Sequence, residues 1–126
     1  MKECCVFSIA DPKEAFRSAD FEKLETLNCY GGEDCYGDDF SNSNSIVRCR
    51  RCGAILLQST YNSYSSVPIG DSFYTVYYSA ESIEDARAMK FGNPFEPDLP
   101  GRRYIQEIYR EFGGDEYHSG LVPEKA

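Results

Sequence analysis

Two cysteines three positions apart, Cys49 and Cys52, lie in the stretch VRCRRCGAIL. In a C-x-x-C-G turn both thiolates can point towards one ion, and Gly53 permits the tight backbone that follows the second sulfur. Apolar residues on both sides of the turn predict two strands that it joins as a hairpin. The pattern therefore indicates half of a metal site.

Four ligands are needed to close a structural zinc site, so two more must come from elsewhere in the chain. The candidates are Cys4, Cys5, Cys29, Cys35 and His118. We predict one structural zinc per chain, held by Cys29, Cys35, Cys49 and Cys52. The C-x5-C spacing of Cys29 and Cys35 is wider than that of a paired knuckle, so Cys5 is the alternative to Cys35 as fourth ligand.

The stretch CRRCGAIL resembles the metal knuckle of zinc-ribbon and rubredoxin-like proteins, over residues 46–57. That resemblance implies a metal held by cysteine sulfurs. A catalytic dithiol would need its C-x-x-C at the start of a helix, where the helix dipole lowers a thiol pKa, and the flanks here are β-like. A pair of buried thiols without metal is the remaining alternative.

Hydrophobic spacing, caps and turn residues predict the following helices and strands. Strands are expected at about 23–30, on both sides of the C-x-x-C turn (46–49 and 54–61) and at 72–79. Helices are expected at 11–19, from Ser82 to Gly92, and at 102–113. Loops are expected at 31–45 and 62–71, a rigid proline-rich connector at 93–101, and a loosely ordered tail from about 114.

The helix expected at 102–113 depends on the spacing of its apolar residues, with Gly113 as its stop. These residues are Tyr104, Ile105, Ile108, Tyr109 and Phe112. Strands that come first and helices that follow favour the α+β class. We expect one domain over residues 1–126, in which two or three helices pack on one face of a small antiparallel sheet that carries the zinc-knuckle hairpin.

The chain has 21 acidic and 13 basic residues, a net charge of −8, with ten Tyr and eight Phe. This charge repels phosphate backbones, which makes nucleic acid an unlikely partner, and attracts basic proteins. Tyrosine is also enriched in protein interfaces. The expected partner-binding residues lie in the loop 31–45 and are Asp34, Tyr36, Asp38, Asp39 and Phe40.

No catalytic constellation is visible in the sequence, so we do not expect an enzyme. His118 is the only histidine, in the polar stretch GGDEYHSG. No nucleophile turn and no glycine-rich phosphate loop accompany it. No segment approaches the ~20 apolar residues of a membrane span, and no signal-peptide pattern opens the chain. We therefore expect a cytoplasmic protein with reduced thiols.

In size, charge and absence of catalytic residues, the chain resembles the immunity proteins of bacterial polymorphic-toxin systems. That resemblance implies an inhibitor that covers the active site of a basic toxin, nuclease or other enzyme. It transfers no functional residues, because no shared motif carries it. The alternative is a zinc-ribbon adaptor or regulator that binds nucleic acid or the transcription or translation machinery.

Overall fold

An antiparallel sheet, seen in a computed structural model, dominates the part of the chain that the structure describes, residues 4–31, 38–65, 72–89, 96–110 and 113–123. Its six strands are hydrogen-bonded in chain order. They are β1 Phe21–Gly31, β2 Asp38–Cys49, β3 Ile55–Ser65, β4 Ser72–Ala80, β5 Arg103–Arg110 and β6 Glu116–Leu121. A 3₁₀ helix at Cys5–Ser8, helix α1 at Pro12–Arg17 and helix α2 at Ile83–Met89 complete the described elements.

The strand register fixes which side chains share a face of the sheet. Val47 lies opposite Leu56, and Tyr77 lies opposite Ile105. Because successive side chains in a strand point to opposite faces, Val47 and Ile46 lie on different sides. The hairpin around the C-x-x-C turn and the strand expected at 72–79 are confirmed, and their β-branched and aromatic residues account for them.

Each face of the sheet has its own cover. The first face, called the thiol face here, buries Val47, Cys49, Leu56 and Ile105 beneath the N-terminal segment, residues 4–19. The second, called the α2 face, carries two apolar clusters with α2 packed against them. The sheet-dominated fold with covers on both faces therefore corrects the predicted α+β class, in which two or three helices lay on one face.

The helix expected at 102–113 is wrong, because this part of the chain is strand β5. Ile105 is buried on the thiol face, and Ile108 is buried on the α2 face. A strand with covers on both faces needs apolar residues at odd and even positions, so the alternation typical of a half-buried strand is lost. The remaining apolar spacing then resembles that of a helix.

Two further regions expected to be irregular are strands. The tail from about 114 contains β6, paired with β5, and Gly114 adopts a φ of 80° in the turn between them. The predicted loop 31–45 is also wrong in its second half, because β2 begins at Asp38. Its serines and asparagines lie in a strand whose backbone is paired on both sides, by β1 and by β3. Likewise, β3 continues to Ser65, into the loop expected at 62–71.

Both short helices near the predicted positions are present. Helix α1 has Pro12 at its first position, although Asp11 makes no side-chain cap bond. Helix α2 follows the expected Ser82 cap, whose Oγ accepts from the Asp85 amide at 3.0 Å, and Asp85 Oδ2 accepts from the Glu81 amide at 2.8 Å. None of the helices in the described ranges has the length and apolar character needed to cross a membrane.

Candidate metal centre

Four cysteine sulfurs meet beneath the N-terminal segment. The Sγ atoms of Cys4, Cys5, Cys49 and Cys52 all lie within 4.8 Å of one another. The Cys4–Cys52 sulfur distance is 3.7 Å, and the Cys5–Cys49 distance is 3.8 Å. Both are far longer than the roughly 2.05 Å of a disulfide bond, so these are four free thiols.

The hairpin between β2 and β3 supplies one half of the cluster. The Cys49 amide donates to the Ala54 carbonyl at 2.9 Å, and the Gly53 amide donates to the Cys49 carbonyl at 2.8 Å. Gly53 has a φ of 79°, a left-handed conformation that costs a residue with a Cβ atom about 1–2 kcal/mol. These bonds fold Cys52 back beside Cys49, as the C-x-x-C-G pattern predicts.

The second half comes from two adjacent cysteines at the start of the 3₁₀ helix. Cys4 is extended, with φ −64° and ψ 145°, and Cys5 is the first residue of the helical turn. The Phe7 amide donates to the Cys4 carbonyl at 3.0 Å and closes this turn. Neighbouring side chains of an extended strand would diverge, but the corner between extended and helical backbone brings both thiols to the hairpin.

The sulfur positions fit a four-coordinate metal. Metal–sulfur bonds of about 2.3 Å in a tetrahedral site give sulfur–sulfur edges of about 3.8 Å. The two distances above match this edge. Soft thiolate ligands suit zinc, copper(I) and iron–sulfur chemistry, and a tetrahedral set of four sulfurs is typical of zinc or iron. The donor set and its spacing therefore fit the zinc predicted from the sequence.

Backbone amides stabilise negative charge on one of the sulfurs. Burial opposes ionisation of Cys52, but hydrogen bonds from the amides of Cys5 and Ala54, together with the thiols of Cys49 and Cys4, lower its pKa to about 6. Burial instead raises the pKa of Cys4 above its usual range, against a hydrogen bond from the Val6 amide. Burial also raises the pKa of Cys5, and neighbouring thiols add to the effect.

These pKa shifts indicate that the four sulfurs do not ionise independently of one another. A thiolate at Cys52 accepts hydrogen bonds from the amides of Cys5 and Ala54, and crowding four ionised sulfurs together without a cation is unfavourable. A divalent cation removes that repulsion, since metal ligands bind as thiolates. Cys4 and Cys49 are buried, whereas Cys5 and Cys52 are partly exposed. The cluster thus lies at the edge of the core.

Two of the three arginines around the C-x-x-C turn form ion pairs with acidic residues of β1 and of the segment before it. Arg48 Nε donates to Glu22 Oε1 at 2.8 Å, and Arg50 is 2.9 Å from Asp20 Oδ1. Arg51 is exposed at the tip and forms no ion pair within the described ranges. The strand register accounts for the first of these pairs, because Glu22 lies opposite Arg48.

Of the other candidate ligands, Cys29 and His118 lie on other parts of the sheet. The backbone of Cys29 pairs with Ser43 in β2, six positions from Cys49, which is about 20 Å along a strand. Cys35 lies outside the described residues. His118 is in β6, with Nε2 3.2 Å from Glu116 Oε1. Cys5, the alternative fourth ligand, is in the cluster together with Cys4.

The predicted partner-binding residues are only partly described. Asp34 and Tyr36 lie outside the described ranges. Asp38, Asp39 and Phe40 form the start of β2, where their backbones pair with Ser65, Tyr64 and Ser63. These three residues therefore belong to a paired strand, not to the flexible loop that the sequence analysis assumed.

Sequence reasoning considered Cys4 but did not pair it with Cys5 as two ligands of one ion. Adjacent cysteines do not resemble a knuckle, since their side chains diverge in regular structure. The available signal was the combination of two cysteine pairs, Cys4 with Cys5 and Cys49 with Cys52, in one short chain. Comparisons with protein-family models, curated proteins and solved structures find no match for this chain.

Proposed function

We propose that this protein is a small binding module stabilised by one zinc ion, which Cys4, Cys5, Cys49 and Cys52 hold in place of the set that included Cys29 and Cys35. The observation that carries the proposal is the approach of four sulfurs to within 4.8 Å of one another, with two of the pairs at 3.7 and 3.8 Å. Four protein ligands close the coordination sphere. Closed sites of this kind are structural, whereas catalytic zinc keeps an open position.

Zinc would join two parts of the chain that no strand pairing connects within the described residues. Cys4 and Cys5 belong to the N-terminal segment, and Cys49 and Cys52 belong to the β2–β3 hairpin. Since the site forms only in the folded chain, the binding free energy contributes directly to folding. A cytosolic location suits this role, because an oxidising compartment would convert ligands to disulfides.

Elemental analysis of protein purified without chelator tests the metal. We expect about one zinc per chain, and we expect Cys52→Ser to lose it. Cys29→Ser is the matched control, because it removes a thiol whose backbone is remote from the cluster. A wild-type protein that is fully folded, metal-free and unable to take up added zinc would contradict the proposal.

We further propose that the module binds a basic protein and inhibits it, as an immunity protein inhibits its toxin. The net charge of −8 supports a basic partner, since long-range attraction speeds association. A nucleic-acid adaptor is less well supported, because Arg48 and Arg50 already pair with Glu22 and Asp20. Arg51 alone at the tip of the turn offers a weak phosphate contact.

Pull-down from native cytosol followed by rate measurements tests the partner. Replacing Asp34, Asp38 and Asp39 with Asn should slow association several-fold and weaken its salt dependence. Tyr36→Ala and Phe40→Ala should speed dissociation, as expected for aromatic anchors.

The matched control removes three negative charges elsewhere, by Asp11→Asn, Glu14→Gln and Glu84→Gln, all exposed. If the control slows association as much as the first variant, net charge alone steers the partner and the assigned residues are wrong. Capture of nucleic acid instead of a basic protein would contradict the inhibitor proposal.

A further inference from the structure

The N-terminal segment, residues 4–19, covers the thiol face without joining the sheet. Its buried residues are Cys4, Val6 and Ala15, and they pack on the buried side chains of β2, β3 and β5. The Phe16 ring lies 5.7 Å from the ring of Tyr77 and 6.0 Å from that of Tyr117. Together with the Lys13 ammonium, 5.9 Å from the Tyr117 ring, these apolar and aromatic contacts form the first tie between the segment and the sheet.

Backbone hydrogen bonds within the segment are local. Among the described residues they join positions three or four apart, such as the Ile9 amide to the Val6 carbonyl and the Ala15 amide to the Asp11 carbonyl. The 3₁₀ helix has four residues and α1 has six. Isolated helices shorter than about 12 residues are marginal in water, so this segment cannot hold its shape without the sheet.

The second tie is the thiol cluster. Two of the four sulfurs come from the segment and two from the hairpin, and the Cys5 amide also donates to Cys52 Sγ. A metal that binds all four sulfurs joins the N-terminal end of the segment to the hairpin. Without the metal, residues 4–19 keep only their apolar and aromatic contacts and the Cys5–Cys52 hydrogen bond.

The sheet does not depend on this segment for its pairing. The six strands pair in unbroken order from β1 to β6, over strands of 6–12 residues, and α2 covers the opposite face. A part of a protein that has few stabilising contacts can open while a better stabilised part stays folded. Loss of the metal should thus affect the two faces unequally.

We propose that residues 4–19 form a metal-held cover, which opens from the thiol face when the metal leaves while the six-stranded sheet and α2 stay folded. The proposal rests on the proposed zinc site. Opening would expose the rings of Tyr77 and Phe21, which lie 4.7 Å apart on that face, together with buried Ile105. The metal state would then decide whether an apolar surface is available.

Limited trypsin digestion of the full-length protein, loaded with zinc and then stripped by a strong chelator, tests the cover. Lys13 and Arg17 lie in α1 and report on the segment. Arg87 lies in α2 on the other face and is the internal control. We expect metal removal to speed cleavage after Lys13 and Arg17 by roughly tenfold or more, with little change at Arg87, and re-addition of zinc to restore protection.

Zinc content measured on the same samples separates the possible failures. Equal acceleration at Arg87 would mean that the whole domain unfolds, and unchanged cleavage after proven metal loss would mean that packing suffices. Either result overturns the cover but leaves the zinc site intact. Failure of the wild-type chain to bind added zinc overturns both proposals.

The double variant Cys4→Ser/Cys5→Ser provides an independent check. It should show fast cleavage after Lys13 and Arg17 with or without zinc, while hydrogen exchange in β3 and β4 remains slow. Loss of protection in those strands would contradict the proposal.

Discussion

The two faces of the sheet keep their short helices in place by different chemistry. On the thiol face, residues 4–19 pack on the core and share the cysteine cluster with the hairpin. On the α2 face, Ala86 is buried, and Asp85 accepts two hydrogen bonds from Arg102, one of them at 2.8 Å. Neither helix exceeds seven residues, so each needs a long-range tie.

The difference teaches that the two ties respond to different conditions. The Asp85–Arg102 pair is partly buried, with side-chain exposures of 20% and 25%, so salt screens it less than it screens an exposed pair. It does not depend on metal or redox state. The cysteine cluster depends on both. One face can therefore be perturbed while the other serves as a control.

Removing a cluster thiol should have the largest effect. Cys52→Ser takes away the sulfur that the Cys5 and Ala54 amides stabilise. We expect zinc affinity to fall by more than the 10- to 100-fold that loss of an outer-shell partner costs. Competition with a colorimetric zinc chelator measures this loss. Unchanged affinity in Cys52→Ser, with loss in the Cys29→Ser control, would show that the ligand set is wrong.

Breaking the tie on the α2 face should have a smaller effect. Asp85→Asn removes the charge that pairs with Arg102 and weakens the bond to the Glu81 amide, at a cost of about 1–3 kcal/mol in the free energy of unfolding. Urea unfolding measures it. Zinc content should not change. Glu84→Gln removes a charge from the exposed side of α2 and should cost much less.

The Asp85–Arg102 pair also predicts that the stability of the protein depends on pH. Hydrogen bonds from Arg102 hold the pKa of Asp85 below its usual range, against the effect of burial. A lowered folded pKa contributes stability that is present above the unfolded pKa of about 3.9 and is lost as pH falls through the folded value. The stability difference between wild type and Asp85→Asn should therefore shrink as the pH falls below about 4. A stability difference that stays constant with pH would mean that the charge of Asp85 does not contribute to stability.

Two glycines allow a sharper test of the C-x-x-C-G turn. Gly53 and Gly114 have φ of 79° and 80°, and a Cβ atom at either position would meet nothing within 4 Å. Alanine should thus cost each site a similar conformational penalty, about 1–2 kcal/mol. Only Gly53→Ala should also weaken zinc binding. Equal zinc affinity in the two variants would show that the turn conformation does not position Cys52.

The smallest effect is expected at the exposed pair of Arg87 and Glu25, which are 2.6 Å apart. Surface ion pairs contribute little, and salt screens them. Arg87→Ala should leave urea unfolding nearly unchanged and zinc content unaffected. A large loss of stability would mean that α2 depends on this pair more than on Asp85.

The parts of the fold that sequence reasoning found are those with local signals. The strand at 72–79, the hairpin around the C-x-x-C turn and the Ser82 cap all depend on residues close in the chain. The missed strands lack such signals. β5 is covered on both faces, and the serines and asparagines of β2 look like a loop until their pairing with β1 and β3 is known.

Half of the candidate metal site could also be predicted from local sequence signals. The knuckle pattern identified Cys49 and Cys52 because the turn that brings them together is local. Cys4 and Cys5 reach the hairpin only through the packing of Val6 and Ala15 on the sheet. No spacing rule encodes a contact across 44 residues, so the second pair of ligands required the tertiary structure.

The chain-order arrangement of the strands has a consequence for the route of folding. Each strand pairs with its neighbour in sequence, so the sheet can form by stepwise pairing, with one longer connection, residues 81–102, between β4 and β5. The sulfur contacts are the exception, since they close loops of 44 and 48 residues. Cys4 and Cys5 precede the β2–β3 turn in the chain and must wait for it before an ion can join all four sulfurs. Metal capture therefore has to follow formation of the β2–β3 turn, and it does not require β4, β5 or β6.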